Sequence, residues 1–225
     1  GGGRGAVAEA TAGRAGEKAA EPGGAGDAAA ILYASGPTGR SKGAMLTQAN
    51  LLSNARGLAA LWRFTAEDVL LHALPIFHTH GLFVASNISL LTGGRMIFLP
   101  GFELEAVLRL LPQATAMMGG PTFYTRLLDD PRFTRDLTAG MRLFVSGSAP
   151  LLAETHRAFE ARTGHRILER YGMTETNMNT SNPYEGERRA GTVGFALPGV
   201  EMRIMNEGTE VAPGEAGVIE VRGPN

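Results

Sequence analysis

From Ala30 onward the chain alternates between short apolar runs and longer stretches whose apolar residues recur every three or four positions, with Gly or Pro at most of the joints. The short runs predict strands over 31–34, 69–73, 95–99, 114–118, 143–145 and 167–169. The longer ones predict helices over 48–61, 82–91, 103–111, 121–128 and 151–163, several opening on a polar residue or a proline that suits a helix start. Strand and helix taking turns implies an α/β fold of layered sheets with helices on both faces. Beyond Gly191 the helical period disappears. Short strands over 201–205 and 217–222 flank a turn-rich segment there, so the start of a small β subdomain is expected over 191–225. Residues 1–27 are mostly glycine and alanine with scattered charges, too little apolar surface to offset the entropy of ordering, and are expected to be disordered. The α/β part would then run over 28–190.

Composition removes whole classes of function. With 21 Lys and Arg against 22 Asp and Glu, the formal charge is -1, so no basic excess points to nucleic acid. No apolar stretch reaches the roughly 18 to 20 residues of a membrane span. The richest, Leu70 to Leu91, is broken by His72, Pro75, His78 and His80. Cysteine is absent, which excludes disulfides, thiol nucleophiles and thiolate metal sites and fits a reducing compartment. A cytoplasmic location is expected. A mitochondrial one stays open, although Glu9, Glu17 and Glu21 argue against reading the first residues as a presequence. The chain opens on Gly1 and stops at Asn225 directly after an apparent strand, and is expected to be a fragment.

Four stretches carry candidate chemistry. YASGPTGRSKG, Tyr33 to Gly43, follows the first strand and gathers glycines, hydroxyls, Arg40 and Lys42, the composition of a phosphate-holding loop. A solvated turn is the alternative. LPIFHTHG, Leu74 to Gly81, delivers His78 and His80 to the start of an apolar helix; the imidazoles could pack there, bind a metal with His72, or line a tunnel for an acid. No HExxH pattern or suitably spaced carboxylate supports zinc. LFVSGSAPL, Leu143 to Leu151, ends a buried strand in Ser146, Gly147 and Ser148, where open α/β sheets bind ligands. Its frame is not the GxSxG of a hydrolase elbow, and Ser148 could simply cap the next helix. ERYGMTET, Glu169 to Thr176, brings an aromatic face, a hydroxyl and a carboxylate within eight positions, types suited to a base, a phosphate and Mg²⁺; a charged surface turn is the alternative.

Taken in this order, these stretches resemble the adenylate-forming superfamily of acyl-CoA synthetases, luciferases and peptide-synthetase adenylation domains. HALPIFHTHGLF, PTFYTRLL, SGSAPLLAETH and ERYGMTETNMNTSNPYEGERRAGTVGFALPGV are most similar to malonyl-CoA synthetases. The resemblance covers Ala30 to Asn225 and implies part of the family's large N-terminal domain. It also implies a two-step reaction, in which a carboxylate and MgATP give an acyl-adenylate and coenzyme A then displaces AMP. Malonate or methylmalonate would be the acid; another medium-chain or aryl acid, or a noncatalytic nucleotide-binding domain, are the alternatives. On this resemblance Ser35, Gly36, Thr38, Gly39 and Lys42 would hold the outer phosphates, and Gly147, Ser148, Ala149 and Pro150 would border the adenine and the acyl group. Glu169, Arg170, Tyr171, Gly172, Met173 and Thr174 would complete the nucleotide site, with Tyr171 against the base and Thr174 on the α-phosphate. Glu175 would bind Mg²⁺ and His78 would stand near the reacting carboxylate, making Thr174, Glu175 and His78 the catalytic set. The second carboxylate of the diacid would meet Arg126, expected as a buried guanidinium, with Ser146, Gly147 and Ser148 alongside; an ion pair of Arg126 with Asp129 or Asp130 is the alternative. Ala34 and Pro37 depart from the family's hydroxyl-rich loop, and Pro37 removes a backbone donor. The family's first third, its ribose-binding motif, its hinge and its C-terminal lid with a catalytic lysine lie outside the resemblance. The chain alone is expected to show no malonate-dependent ATP–pyrophosphate exchange.

Overall fold

A computed structural model describes residues 23–35 and 41–225, with the side chain of Ser35 outside that set. The disorder expected over 1–27 therefore falls outside the described residues as far as residue 22. From Gly24 to Asp27 the chain makes a turn closed by the Asp27 carboxylate, which accepts the Gly24 N–H at 2.7 Å. Gly36, Thr38 and Gly39 of the first candidate stretch also lie outside.

Strand β1 (Ala28–Ser35) pairs antiparallel with β2 (Ser41–Thr47), and Thr47 caps helix α1 (Gln48–Leu61) in a reciprocal box with Asn50. Of the stretch over 33–43, read from sequence as one loop, residues 33–35 and 41–43 thus lie on paired strands, the second of which was not expected. Strand β3 (Val69–His72) leads through a π-helical turn, His80–Ala85, into α2 (Ser86–Thr92) and β4 (Arg95–Phe98). The helix expected over 82–91 therefore starts two residues earlier and in a different geometry. Helix α3 (Leu104–Leu110), β5 (Ala116–Gly119), α4 (Pro121–Leu128), β6 (Leu143–Ser146), α5 (Ala153–Thr163) and β7 (Leu168–Met173) follow in strict alternation. β8 (Asn177–Ser181) and β9 (Phe195–Ala196) complete a seven-stranded sheet of order β4-β3-β5-β6-β7-β8-β9. Its first five strands are parallel and its last two antiparallel. A separate three-stranded sheet holds β10 (Glu201–Asn206), β11 (Thr209–Glu210) and β12 (Val218–Arg222). The change of sheet thus falls at Glu201, later than the compositional change at Gly191, because Phe195 and Ala196 still pair with β8.

The inner parallel strands β3, β5 and β6 are buried on both faces, so successive residues serve opposite cores. Leu70, Met118, Val145 and Leu168 pack toward α1 and α2 around Trp62 and Ile88. Leu71, Met117 and Phe144 pack toward α3, α4 and α5 around Tyr124, Leu127 and Phe159. No helix among the described residues is long and apolar enough to cross a membrane. The chain runs outward from β3 to β4 and returns to β5 on the other side of β3, which puts a reversal of strand order between β3 and β5. Clefts open outside the carboxyl ends of strands at such a point.

Candidate functional site

The parallel strands end together at one edge, at His72, Gly119 and Ser146, with β7 continuing past them. Two cavities open along that edge. One, of about 320 Å³, is lined by Ser146, Ser148, Ala149, Pro150, Glu169, Arg170, Tyr171 and Gly172, all expected from sequence, and by Gly191 and Val193, which were not. The other, of about 170 Å³, lies between the β3 end and α4, lined by His78, His80, Gly120, Phe123 and Ser148 among others. Ser148 borders both, so the two adjoin at this residue.

Local geometry follows from the strand ends. Beyond β6 the chain turns at Gly147 and then Ser148, whose φ of 70° is a left-handed conformation uncommon outside glycine and concentrated at functional sites. The hydroxyl of Ser148 meets His80 Nδ1 at 3.1 Å, and α5 begins later, at a Leu152 boundary with no side-chain cap. Ser148 therefore does not cap the helix. Gly147 is required by proximity: a Cβ there would overlap the Arg170 guanidinium. The π-helical turn leaves the Gly81 carbonyl to His72 Nε2, at 2.9 Å, and to the Ser86 hydroxyl. With Nε2 so engaged, His72 braces the loop. No cluster of three His, Asp or Glu among the described residues is arranged to hold a metal ion.

Arg170 is the electrostatic centre of the site. It is 5% exposed, and its Nε and Nη2 have no partner among the described residues. Burial pushes its pKa down to about 9, Tyr124 pulling weakly the other way. Ser146 Oγ and His80 Nε2 are likewise buried without partners. Burial holds His80 well below the ordinary histidine range, with Arg170, His78 and His72 adding to the effect. Partial burial and then Arg170 lower His78 as well. Both imidazoles are neutral at pH 7 and leave Arg170 as the cation of the cavity. Buried polar groups are nearly always bonded, so three open ones at a strand edge mark a place prepared for a polar ligand.

Several expected residues stand elsewhere. Lys42 is exposed on β2, and Met173, Thr174 and Glu175 lie at or in the tip of the β7–β8 hairpin; none of these lines either cavity. Glu175, a single exposed carboxylate, suits Mg²⁺, which keeps most of its waters and is held largely by substrate phosphates. Arg126 is not the buried guanidinium expected: it is exposed on α4, 4.7 Å over the Phe102 ring, which packs 4.3 Å from the cavity-lining Phe123. The alternative ion pair does not form either, since Asp130 is taken by Arg132 at 2.6 Å. The helical period places residue 126 on the solvent face of α4 while Tyr124 and Leu127 face the core. His80 was named in sequence beside His78 but was not among the site residues that the resemblance implied.

Comparison with known proteins bears on this geometry. The model of the AMP-binding enzyme family matches residues 4–225. The chain is 40% identical over 233 residues to the mitochondrial malonate–CoA ligase of Mus musculus, covering 88% of this chain and 40% of that protein. It is 39% identical to the malonate–CoA ligase of Arabidopsis thaliana, over 80% of this chain and 33% of that one. Among solved structures, ATP-bound MatB from Rhodopseudomonas palustris superposes with a TM-score of 0.94 at 60% identity, over 99% of this chain and 45% of that one. A malonyl-CoA ligase with methylmalonyl-CoA and AMP bound gives 0.82 at 45% identity, over 90% of this chain and 45% of that chain. The chain thus spans less than half the length of these relatives.

Proposed function

Because this chain belongs to the AMP-binding enzyme family, we propose that the protein carrying it is an acid–thiol ligase, making malonyl-CoA from malonate, ATP and CoA through a malonyl-adenylate. The observation that carries the reading is Arg170: a buried cation with no counterion among the described residues, beside Ser146, in a cavity at the carboxyl edge of the sheet. The names of the relatives, malonate–CoA ligases and a complex holding methylmalonyl-CoA and AMP, support the same acid class.

In this reading the larger cavity takes the nucleotide, with Tyr171 beside the base, and the junction at Ser148 takes the reacting carboxylate. A carboxylate oxygen attacks the α-phosphorus, the bond to the bridging oxygen breaks, and pyrophosphate leaves. The CoA sulfur then attacks the acyl carbon, AMP departs, and the thiol proton passes to solvent. Mg²⁺, when bound, would neutralise the phosphates so that one anion can approach another. Thr174 and Glu175 at the tip of the β7–β8 hairpin, and Ser35, Gly36, Thr38, Gly39 and Lys42 of the first candidate stretch, are assigned to the phosphates and the metal. Arg170 and Ser146 hold the second carboxylate by charge-assisted hydrogen bonds. Arg126 is retained as an outer cation behind the Phe102 and Phe123 wall. A monocarboxylic acid would leave Arg170 buried and unpaired, and that penalty is the source of selectivity.

The cytoplasm is the proposed compartment, with the mitochondrion, named for the mouse relative, as the alternative that cell fractionation would distinguish. The functional test is formation of AMP and acyl-CoA by the intact natural protein on malonate, methylmalonate, acetate, octanoate and benzoate. Malonate or methylmalonate should be used best. Preference for octanoate or benzoate would assign another acid, and ATP binding without AMP formation would make the domain noncatalytic.

A further inference from the structure

We propose that His156, on α5 and outside both cavities, positions one wall of the nucleotide cavity by acting through Glu169. The inference rests on the reading of the larger cavity as the nucleotide site. His156 Nδ1 lies 3.1 Å from Glu169 Oε1, and the two residues are 2% and 5% exposed. A carboxylate only accepts, so Nδ1 donates. The same Oε1 accepts the Gly191 N–H at 3.2 Å. Gly191 and Val193 are the two lining residues that come from outside the strand-end motifs, and Glu169 itself lines the cavity beside Gly191.

The rest of the segment is bound to the same residue. Asn182 Nδ2 donates to the Glu169 carbonyl at 3.1 Å and to the Thr192 carbonyl at 2.7 Å, and the Asn182 N–H reaches the Glu169 carbonyl at 2.9 Å. Gly194, at φ 78°, lies so close to the Ser181 carbonyl that a Cβ would overlap it, which fixes the far end of the segment on β8. Residues 191–194 are therefore held at both ends, and the side-chain attachment at Gly191 depends on where the Glu169 carboxylate points. His156 sets that direction. Two apolar side chains would join α5 to the sheet without desolvating a carboxylate, but they could not hold the Gly191 N–H. His156 is a positioning residue in this account, since it touches neither cavity.

The test uses the intact natural protein with AMP as the probe. His156→Leu keeps the size of the ring and removes the donor. It should weaken AMP binding about tenfold, as loss of a charge-assisted hydrogen bond would, and raise KM for ATP while KM for malonate and kcat at saturating ATP hold. His156→Asn, whose amide N–H stands near the position of Nδ1, should recover most of the affinity. Amide hydrogen exchange supplies a second readout that needs no variant: the Gly191 N–H of the wild type should be protected, and in the Leu variant it should exchange freely. Unchanged AMP affinity in His156→Leu, equal weakening of AMP and malonate, or an unprotected Gly191 in the wild type would each overturn the proposal. A wild type that binds no AMP would instead overturn the nucleotide reading on which it rests, and the inference with it.

Discussion

Arg142 and Arg170 stand at opposite edges of the same parallel sheet and differ in what the protein offers them. Arg142 precedes β6 and has all three guanidinium nitrogens engaged: Nε and Nη2 on the Asp68 carboxylate at 2.6 and 2.7 Å, and Nη1 on the Trp62 carbonyl at 3.0 Å. Asp68 also accepts the Thr65 N–H and the Thr115 hydroxyl, so burial, which alone would raise its pKa, is outweighed and the carboxyl is lowered. Arg170, at the carboxyl edge, has two nitrogens with no partner among the described residues. Arg142 is half-buried and Arg170 buried, yet the first closes a network and the second leaves it open. The amino edge is where the fold holds itself together, and the carboxyl edge is where valences are left for a ligand.

The largest effect that should break this comparison is Asp68→Ala. It leaves Arg142 uncompensated and should cost about 3 to 5 kcal/mol in urea unfolding. Arg170→Leu should move stability the other way, by about 1 to 4 kcal/mol, because an unpaired buried charge is replaced by apolar volume; a destabilised variant would mean that Arg170 already has an intramolecular partner. Gly147→Ala should cost about 1 to 3 kcal/mol by overpacking against the guanidinium, and that cost should shrink when combined with Arg170→Leu, read in a double-mutant cycle of thermal unfolding.

The smallest effects concern pH. His72 and His80 are held below the ordinary value of about 6.5, so below that pH the unfolded chain binds protons that the folded one does not, and stability falls as pH drops. Asp68 has a lowered pKa, so its contribution is full above the ordinary carboxylate value and is lost as pH falls through about 4 and below. The carboxyl edge should therefore loosen first on acidification and the amino edge last, which residue-resolved hydrogen exchange between pH 7 and pH 4 would show. Simultaneous loosening would contradict the division.

Much of this arrangement was legible in the sequence. Helices over 48–61 and 121–128 match α1 and α4 residue for residue, because Thr47 and Pro121 are clear start signals and the apolar spacing is regular. Ser146, Ser148, Glu169, Arg170 and Tyr171 were placed in one site by the resemblance, with the strand-end rule pointing to the first two, and they share one cavity. What was not legible has physical reasons. β8 reads NMNTS, and its polar residues are buried against partners distant in sequence, such as Trp62 on Ser181 and Asn54 on the Met178 backbone, so no apolar alternation announces it. The π-helical turn depends on where the Gly81 carbonyl points, which no local pattern encodes. Arg126, expected as a buried guanidinium, is exposed because the period of α4 turns Tyr124 and Leu127 to the core instead, while the buried cation, Arg170, comes from β7.

The account depends most on Arg170 as the receiver of the second carboxylate. The direct measurement is kcat/KM for malonate and for acetate in the intact natural protein and in Arg170→Leu. The account predicts that the malonate-to-acetate ratio falls at least about a hundredfold, the scale of a lost charge-assisted pair. An unchanged ratio would contradict it.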